Sequence, residues 1–287
     1  MKNREFVMLA SDWRGTSMTG WEASEKLDGM RALWDGGVYR GKEAFWAAGR
    51  VGTGLWSRYG KPIHAPDWWL DQLPPFTLDG ELWLGRNMFQ ETVSVTRSHN
   101  ADWQHVKFKV FGSPGMALVT PGLISGRFLT QYFPRTWEGP LFASGEAYEN
   151  LIVKPVEQHM WATEQPYWDL YAEVLDRGGE GIMLRAGSWE PYRSRGLQKL
   201  KPIDTGTGTV MGFTAGLGKL EGLIGAVLVK YKDVWFELSG FNDAERVWAG
   251  EDGAVIKRGQ LINFKFNGVT QDGKPRNARY SRSRTQV

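Results

Sequence analysis

Short runs of aromatic and β-branched residues, each bounded by Gly, Pro or Asp, are the feature that most limits how this chain can fold. Segments of this kind are typical of strands. They predict strands over 32–34, 76–83, 106–111, 181–185 and 197–200. The sequence therefore predicts a sheet-rich fold.

Helical spacing is clearest over 168–177, where apolar residues recur every three or four positions before Gly178 and Gly179 end the pattern. A second helix is predicted over 66–73. Helices that do not alternate regularly with the strands indicate an α+β architecture, with antiparallel sheets, and not a doubly wound parallel sheet.

A change of composition at 202–208, PIDTGTG, separates this part from the rest of the chain. Beyond it, strands are predicted over 209–214, 225–231, 234–238 and 260–266. Several short strands in so small a segment fit a five-stranded OB-fold β-barrel. We therefore expect two domains, 1–203 and 204–287.

The composition, 41% hydrophobic and 23% charged over 287 residues, is that of an ordinary globular protein. No signal-like apolar run opens the sequence, and we expect a cytoplasmic protein with no membrane partner. The absence of cysteine excludes disulfides and thiolate metal sites.

The net charge of +3 is unevenly distributed. Residues 1–203 carry 23 basic and 23 acidic side chains, whereas residues 204–287 carry 12 and 9. The basic residues beyond Asp272 are Lys274, Arg276, Arg279, Arg282 and Arg284. Such an end can be a solvated tail, but directly after a predicted strand it favours contact with phosphates.

The segment KLDGMR groups Lys26, Asp28, Gly29 and Arg31. A lysine that attacks a phosphate suits this grouping, and Gly29 would allow the tight backbone turn that aims it. Alone the pattern is weak, because most lysines are solvated surface groups.

Five further stretches follow in order along the chain. Together with SEKLDGMRALWDG they are SRYGKPIHAPDWW, LDGELWLGR, EGIMLR, LQKLKP and SGFNDAER. In this order they resemble the motifs of the ATP-dependent DNA ligases, and above all those of the minimal Lig E type. The resemblance implies a nucleotidyltransferase (adenylation) domain followed by an OB domain, with ATP as cofactor and nicked double-stranded DNA as partner, in a monomer that seals 5′-phosphorylated nicks.

The resemblance implies roles for five residues of the first and fifth motifs. Lys26 would form the lysyl-AMP intermediate, Asp28 would assist the final sealing step, and Arg31 would contact the ribose. Lys199 and Lys201 would lie beside the α-phosphate, where nearby cations help the nucleophile to lose its proton.

Four more residues would hold the nucleotide and a metal. Glu81 and Glu180 resemble the carboxylates that bind Mg²⁺, for which Mn²⁺ could substitute, since hard oxygen ligands suit such ions. Phe111 takes the position of the aromatic residue that stacks on adenine, although most of the 14 Phe and 15 Trp must be core residues. Glu25 would contact the base edge through its backbone.

The remaining basic residues would contact phosphates. Arg58 matches the arginine that grips the 5′-phosphate of the nick, a task suited to a guanidinium. Arg276 best matches the arginine that orients pyrophosphate. Family members carry aromatic residues where this chain has Asn277 and Ala278, so Arg282 and Arg284 compete for that role or contact DNA.

Two alternatives stay open on the sequence. An RNA ligase or a capping-type guanylyltransferase shares the lysine, both glutamates and the lysine pair. A non-enzymatic DNA-binding protein on the same fold is the more distant one.

Overall fold

The protein divides into two compact units, Met1–Leu200 and Lys201–Val287. The computed structural model describes residues 7–47, 49–114, 152–187, 189, 192–247, 255–270 and 272–282. The division lies close to the domain boundary that the sequence predicts between residues 203 and 204.

The first unit holds ten strands and three helices among its described residues. The strands are β1 (Leu9–Asp12), β2 (Glu22–Glu25), β3 (Met30–Asp35), β4 (Leu55–Ser57), β5 (Thr77–Trp83), β6 (Lys107–Gly112), β7 (Val153–Pro155), β8 (His159–Met160), β9 (Ile182–Arg185) and β10 (Arg193–Leu200). The helices are α1 (Asp67–Leu70), α2 (Phe89–Arg97) and α3 (Gln165–Asp176).

Two five-stranded sheets form this unit, in the orders β1-β10-β9-β2-β8 and β4-β3-β5-β6-β7. The α+β class is confirmed, and most neighbouring strands of the two sheets pair antiparallel, with two exceptions at the sheet edges. The edge strands β1 and β7 run parallel to their neighbours β10 and β6. Each joins its sheet from a distant part of the chain, which short-range sequence patterns do not reveal.

Strand β5 shows why one face of its sheet packs in the core and the other carries charged side chains. Leu78 and Leu82 are fully buried in the main apolar cluster, together with Trp69, Trp103 and Phe108. Asp79 and Glu81 alternate with them and therefore point to the opposite face. The period of two thus places two carboxylates side by side on one surface.

Helix α3 confirms the predicted helix and begins earlier, with Pro166 in its first turn. Gly178, at φ +75°, follows the helix in the left-handed conformation that glycine adopts without strain. The helix predicted over 66–73 is only the single turn α1. The sequence reasoning missed α2, whose buried face consists of Thr92 and Thr96 and so carries no apolar signal.

The second unit is a five-stranded barrel, as predicted. Its strands are β11 (Asp204–Ala215), β12 (Ile224–Tyr231), β13 (Val234–Leu238), β14 (Leu261–Phe266) and β15 (Arg279–Tyr280). They follow the order β13-β12-β11-β14-β15. Ser239, just after β13, bridges Arg279 of β15, so the two edge strands meet and close the sheet.

The segment 202–208, interpreted as a break between strands, is largely strand, because β11 already begins at Asp204. Its glycines have a packing role. A Cβ on Gly206 would lie 2.7 Å from the ring of Phe264, and one on Gly208 would lie 2.5 Å from a methyl group of Val229. Glycine here admits core side chains against the strand and does not indicate a linker.

The motif SGFNDAER anchors the barrel wall. Asn242 and Glu245 exchange hydrogen bonds between side chain and backbone, at 2.8 and 2.9 Å, in the manner of a capping box. Arg246 is buried and donates to the carbonyl oxygens of Ile224 and Gly225, both at 2.6 Å, and of Phe241 at 3.2 Å.

Replacing Arg246 by methionine is expected to destabilise the barrel by about 3 kcal/mol, because three buried carbonyl groups lose a charged donor. Hydrogen exchange of the β11 and β12 amides would measure it. Arg258→Met, at an exposed arginine of the same unit, is the control and should change the exchange little. Equal protection in both variants would contradict the anchoring role.

None of the helices in the described residues is long and apolar enough to cross a membrane.

Candidate active site

Lys26 follows β2 directly and faces the start of β9. Its backbone N–H donates to the carbonyl oxygen of Gly181 at 2.8 Å, and its ammonium group contacts the Glu180 carboxylate. The antiparallel pairing of Glu25 with Ile182 brings about this meeting, since it sets the residue after β2 beside the residues before β9.

The facing sheet contributes Arg31 and Glu81, which are direct partners in the β3–β5 register. Arg31 also donates two hydrogen bonds to Asp79, from Nε at 2.6 Å and from Nη2 at 2.7 Å. Asp79 is fully buried. The sheet thus presents a fork-shaped ion pair beside a second carboxylate.

Side chains of both sheets line a cleft of about 250 Å³. The basic ones are Lys26, Arg31, Arg58, Arg185, Arg193 and Lys199, and the acidic ones are Glu25 and Glu81. Phe111 and Met183 supply aromatic and apolar surface. The excess of cations suits a polyphosphate, and the apolar surface suits a base.

Burial raises the pKa of Glu81 to about 7, against the opposing influence of Arg31 and Lys26; Asp79 and Glu180 add to the rise. In the free protein the Glu81 carboxyl therefore changes from its protonated to its ionised form near neutral pH. A cation bound next to it would favour the ionised form.

Asp79 is the centre of a buried charge network. Besides Arg31 it accepts a hydrogen bond from the indole N–H of Trp189 at 2.7 Å. Burial lowers the pKa of Arg185, and Asp79 opposes that fall, while the same carboxylate keeps the pKa of Arg31 above its ordinary value despite burial. One buried carboxylate therefore supports two arginines of the cleft.

Phe111 lies on β6 in contact with both of these arginines. The guanidinium carbon of Arg31 is 4.5 Å from the centroid of its ring, and that of Arg185 is 5.6 Å away. The ring lines the cleft and is only half-buried. Its position is therefore that of a binding surface and not that of a core residue.

The side chain of Glu25 has a structural partner that explains its identity. Arg86 donates to both of its carboxylate oxygens, at 2.9 and 2.6 Å. The pair ties the loop after β5 to the end of β2, directly before Lys26.

Lys199 and Arg58 stand at the edges of the cleft. Lys199, on β10, pairs with Asp12 at 3.2 Å. Arg58 follows β4, is exposed, and lies over the ring of Tyr59 at 5.0 Å. Both cations remain accessible to a substrate phosphate.

Gly29 lies at a bend of the chain between β2 and β3 and also allows close packing there. Its φ is outside the left-handed region, and an added Cβ would collide with the carbonyl oxygen of Leu82 and lie 2.8 Å from Cγ of Glu81. Asp28 beside it is half-buried and is not part of the cleft lining.

The other predicted residues lie in the second unit or outside the described residues. Lys201 is the first residue of the second unit. Arg276 is half-buried before β15, and Arg282 donates to both carboxylate oxygens of Glu245, at 2.7 and 2.6 Å. That contact lowers the pKa of Glu245. Arg284 lies outside the described residues.

Sequence reasoning gave no role to Asp79, Arg185, Arg193 or Trp189. For Arg185 a signal existed in the alternation along β9. Ile182 and Leu184 are core residues, whereas Met183 and Arg185 point to the other face and line the cleft. Trp189 carried no such signal, because its contact with Asp79 spans 110 positions of the sequence.

Lys26 lies among basic side chains in a cleft between two sheets, in a chain that continues into an OB barrel. This arrangement is that of a covalent nucleotidyltransferase of the ligase class, and the comparisons with known proteins agree. The family model of the DNA ligase OB-like domain matches residues 215–284. A DNA ligase of Haemophilus influenzae is 30% identical over 282 residues, which cover 97% of this chain and 92% of the relative.

Solved structures agree with this assignment. One from a structure–function study of DNA binding by Lig E DNA ligases superimposes with a TM-score of 0.76 at 29% identity, covering 97% of this chain and 98% of its own. The Chlorella virus DNA ligase-adenylate, at 19% identity and a TM-score of 0.50 over 99% of both chains, shares the fold.

The chain belongs to the ATP-dependent DNA ligases, and within them it is similar to the minimal Lig E type. It is an enzyme that uses ATP and acts on DNA. The recognition made from the six motifs is confirmed, and the non-enzymatic alternative is set aside.

Proposed function

We propose that this ligase seals 5′-phosphorylated nicks in duplex DNA through a lysyl-AMP intermediate on Lys26. The observation that carries the proposal is the position of Lys26 in a cation-rich cleft that is also lined by the ring of Phe111.

Three transfers make up the reaction. Nζ of Lys26 attacks the α-phosphorus of ATP, forming a P–N bond as the bond to pyrophosphate breaks and the lysine proton leaves. AMP then passes to the 5′-phosphate of the nick, which frees the lysine. The 3′-hydroxyl attacks that activated phosphate, loses its proton and expels AMP.

The contact between Lys26 and Glu180 has to open before the first step, because the lone pair of the amine must face phosphorus. Lys199, at the edge of the same cleft, would neutralise charge that develops on the α-phosphate. Lys201 has the same role in our proposal.

Mg²⁺ fits the carboxylates of the site. No cluster of three His, Asp or Glu side chains suited to a metal occurs in the described part of the chain. Mg²⁺ binds through one or two carboxylates with phosphates and water, and Glu180 and Glu81 offer such a pair. The ion would neutralise phosphate charge and orient the leaving group.

The nucleotide would be held by Phe111, Arg31 and the backbone of Glu25. Arg31 commits Nε and Nη2 to Asp79, and Nη2 also donates to the carbonyl oxygen of Met8 at 3.1 Å. Within the described residues Nη1 makes no hydrogen bond, so it is the group that would reach the ribose.

DNA would be gripped by few groups. Arg58 would bind the 5′-phosphate, Asp28 would assist sealing, and Arg276 would orient pyrophosphate, with Arg282 and Arg284 as competing choices or DNA contacts. To bind a phosphate, Arg282 would first have to release the carboxylate of Glu245. A monomeric enzyme and a cytoplasmic location stay predictions from the sequence.

The test is a gel assay of nick sealing with Mg²⁺, in which ATP is compared with GTP, and a DNA nick with an RNA nick. We expect sealing of the DNA nick with ATP. Lysine adenylation without sealing of DNA would contradict the proposed acceptor and indicate RNA, and labelling by GTP would favour the guanylyltransferase alternative.

Affinity for nicked DNA is expected to fall about a hundred-fold between about 50 and 200 mM salt if about four phosphates are contacted. The physical reason is counterion release by the few cations around the cleft. Fluorescence anisotropy with a labelled nicked duplex would measure the slope. An affinity that does not respond to salt would contradict a grip by phosphate contacts.

A further inference from the structure

The segment 36–62 forms a basic lobe with a projecting aromatic tip on the first unit. It follows β3, includes β4, Arg58 and Lys61, and is described except at residue 48. Gly41 and Gly52 close its base, with hydrogen bonds from Gly41 N–H to Gly52 at 2.9 Å and from Gly52 N–H to Lys42 at 2.8 Å.

An aromatic stack makes the lobe rigid. Trp56 is fully buried, Trp46 packs on it with ring centroids 5.3 Å apart, and Tyr39 lies 4.8 Å from Trp46. Ala44 and Ala47 complete this small core.

Phe45 stands outside this core. Its side chain is 79% exposed, although its ring meets Trp46 edge to face at 4.7 Å. Tyr59, in the same lobe, is 61% exposed. Exposed aromatic rings of this size contribute little to folding, and a ring held by a rigid neighbour loses little entropy when a partner covers it.

The charge of the lobe indicates the kind of partner. Residues 1–203 are balanced overall, with 23 basic and 23 acidic side chains, yet segment 36–62 carries five basic residues and only one acidic residue, Glu43. Arg40 is paired with Asp67 and Asp71. The other four basic residues have no carboxylate partner within the described residues: Lys42, Arg50, Arg58 and Lys61.

Unpaired cations around exposed aromatic rings match the chemistry of DNA, whose phosphates bind the cations and whose bases offer faces and edges to a ring. Arg58 connects the lobe to the cleft, since it lines the cleft and follows Trp56 by two positions. DNA whose 5′-phosphate reaches Arg58 therefore passes close to the lobe.

We propose that the lobe binds the duplex next to the 5′-phosphate of the nick, with Phe45 in contact with the bases and with Lys42 and Arg50 on the backbone. The inference rests on the proposed function, because Arg58 sets the position of the DNA. At a nick the broken strand lets base pairs separate at lower cost, which gives a projecting ring a place to enter.

The test measures binding of nicked duplex, nick sealing and lysine adenylation for Phe45→Ala, Phe45→Leu and Phe45→Trp. We expect Phe45→Ala to weaken DNA binding and sealing about ten-fold and to leave adenylation by ATP unchanged. Phe45→Trp keeps a ring and should retain affinity. Phe45→Leu keeps apolar bulk without a ring and should resemble the alanine variant.

Lys42→Gln and Arg50→Gln should each reduce the slope of log affinity against log salt by about 1, whereas Arg97→Gln, at an exposed arginine of α2, should leave it unchanged. Unchanged DNA affinity in Phe45→Ala, or self-association that Phe45→Ala abolishes, overturns the inference. Sealing by the unmodified protein would then leave the proposed function intact. DNA binding that depends on Phe45 without any sealing would contradict the proposed function alone.

Discussion

Lys26→Ala is expected to lower lysine adenylation and nick sealing together by about 10⁴-fold or more, since no other group can form the P–N bond. Lys26→Arg should fail as well, because guanidinium stays protonated and is a poor nucleophile. Radiolabel transfer from α-labelled ATP to the protein measures the first step. Sealing of a DNA nick already adenylated at its 5′ end measures the last.

The two measurements distinguish loss of the nucleophile from loss of the folded structure. The Lys26 variants should still seal pre-adenylated DNA, because that step does not need the amine. Lys42→Ala is the matched control for adenylation, being an exposed lysine of the same unit outside the cleft lining. Full labelling of Lys26→Ala by ATP would refute the assignment of the nucleophile.

Asp79→Asn is expected to destabilise the first unit by about 3–5 kcal/mol, since it removes the buried carboxylate that pairs with Arg31 and offsets the charge of the buried Arg185. The carboxylate accepts hydrogen bonds from Arg31 and Trp189, and the amide that replaces it turns a donor toward one of them. Breaking a buried ion pair on one side costs far more than losing a surface pair.

Asp71→Asn is the matched control, because Asp71 forms a bond of 2.6 Å with Arg40 but is 63% exposed. We expect it to cost less than about 1 kcal/mol. Urea unfolding followed by tryptophan fluorescence reports mainly the first unit, since only Trp235 and Trp248 of the 15 tryptophans lie beyond Leu200. Similar unfolding midpoints for the two variants would show that Asp79 does not hold the network together.

Local patterns predicted much of the secondary structure. The short run of aromatic and apolar residues in 76–83, bounded by Pro and Gly, predicted β5, and the apolar spacing before Gly178 predicted α3. These signals succeed because the solvent-exposed and core faces of one element alternate along the chain itself. They failed for α2, whose buried face is made of threonine. They also failed at Gly206, where a ring from β14 excludes a side chain, and at Gly208, where a methyl group from β12 does so.

The chemistry of the site was predicted to a similar extent. Lys26, Arg31, Glu81, Phe111 and Lys199 come from four separate stretches of sequence, and the structure brings all five to one cleft. The motifs could name them, because the family resemblance preserves residue types. It could not show that Arg31 depends on Asp79, nor that Glu25 is held by Arg86.

The sequence by itself determined the reaction class and the OB barrel and predicts the nucleophile, since these depend on residue types in order and on short-range patterns. Only the tertiary structure decided which charges are paired and which are accessible. The electrostatics of Glu81, the buried role of Asp79 and the exposure of Phe45 all depend on side chains far apart in sequence. Burial and counter-charge are properties of the space around a group, and that space exists only once both sheets have packed.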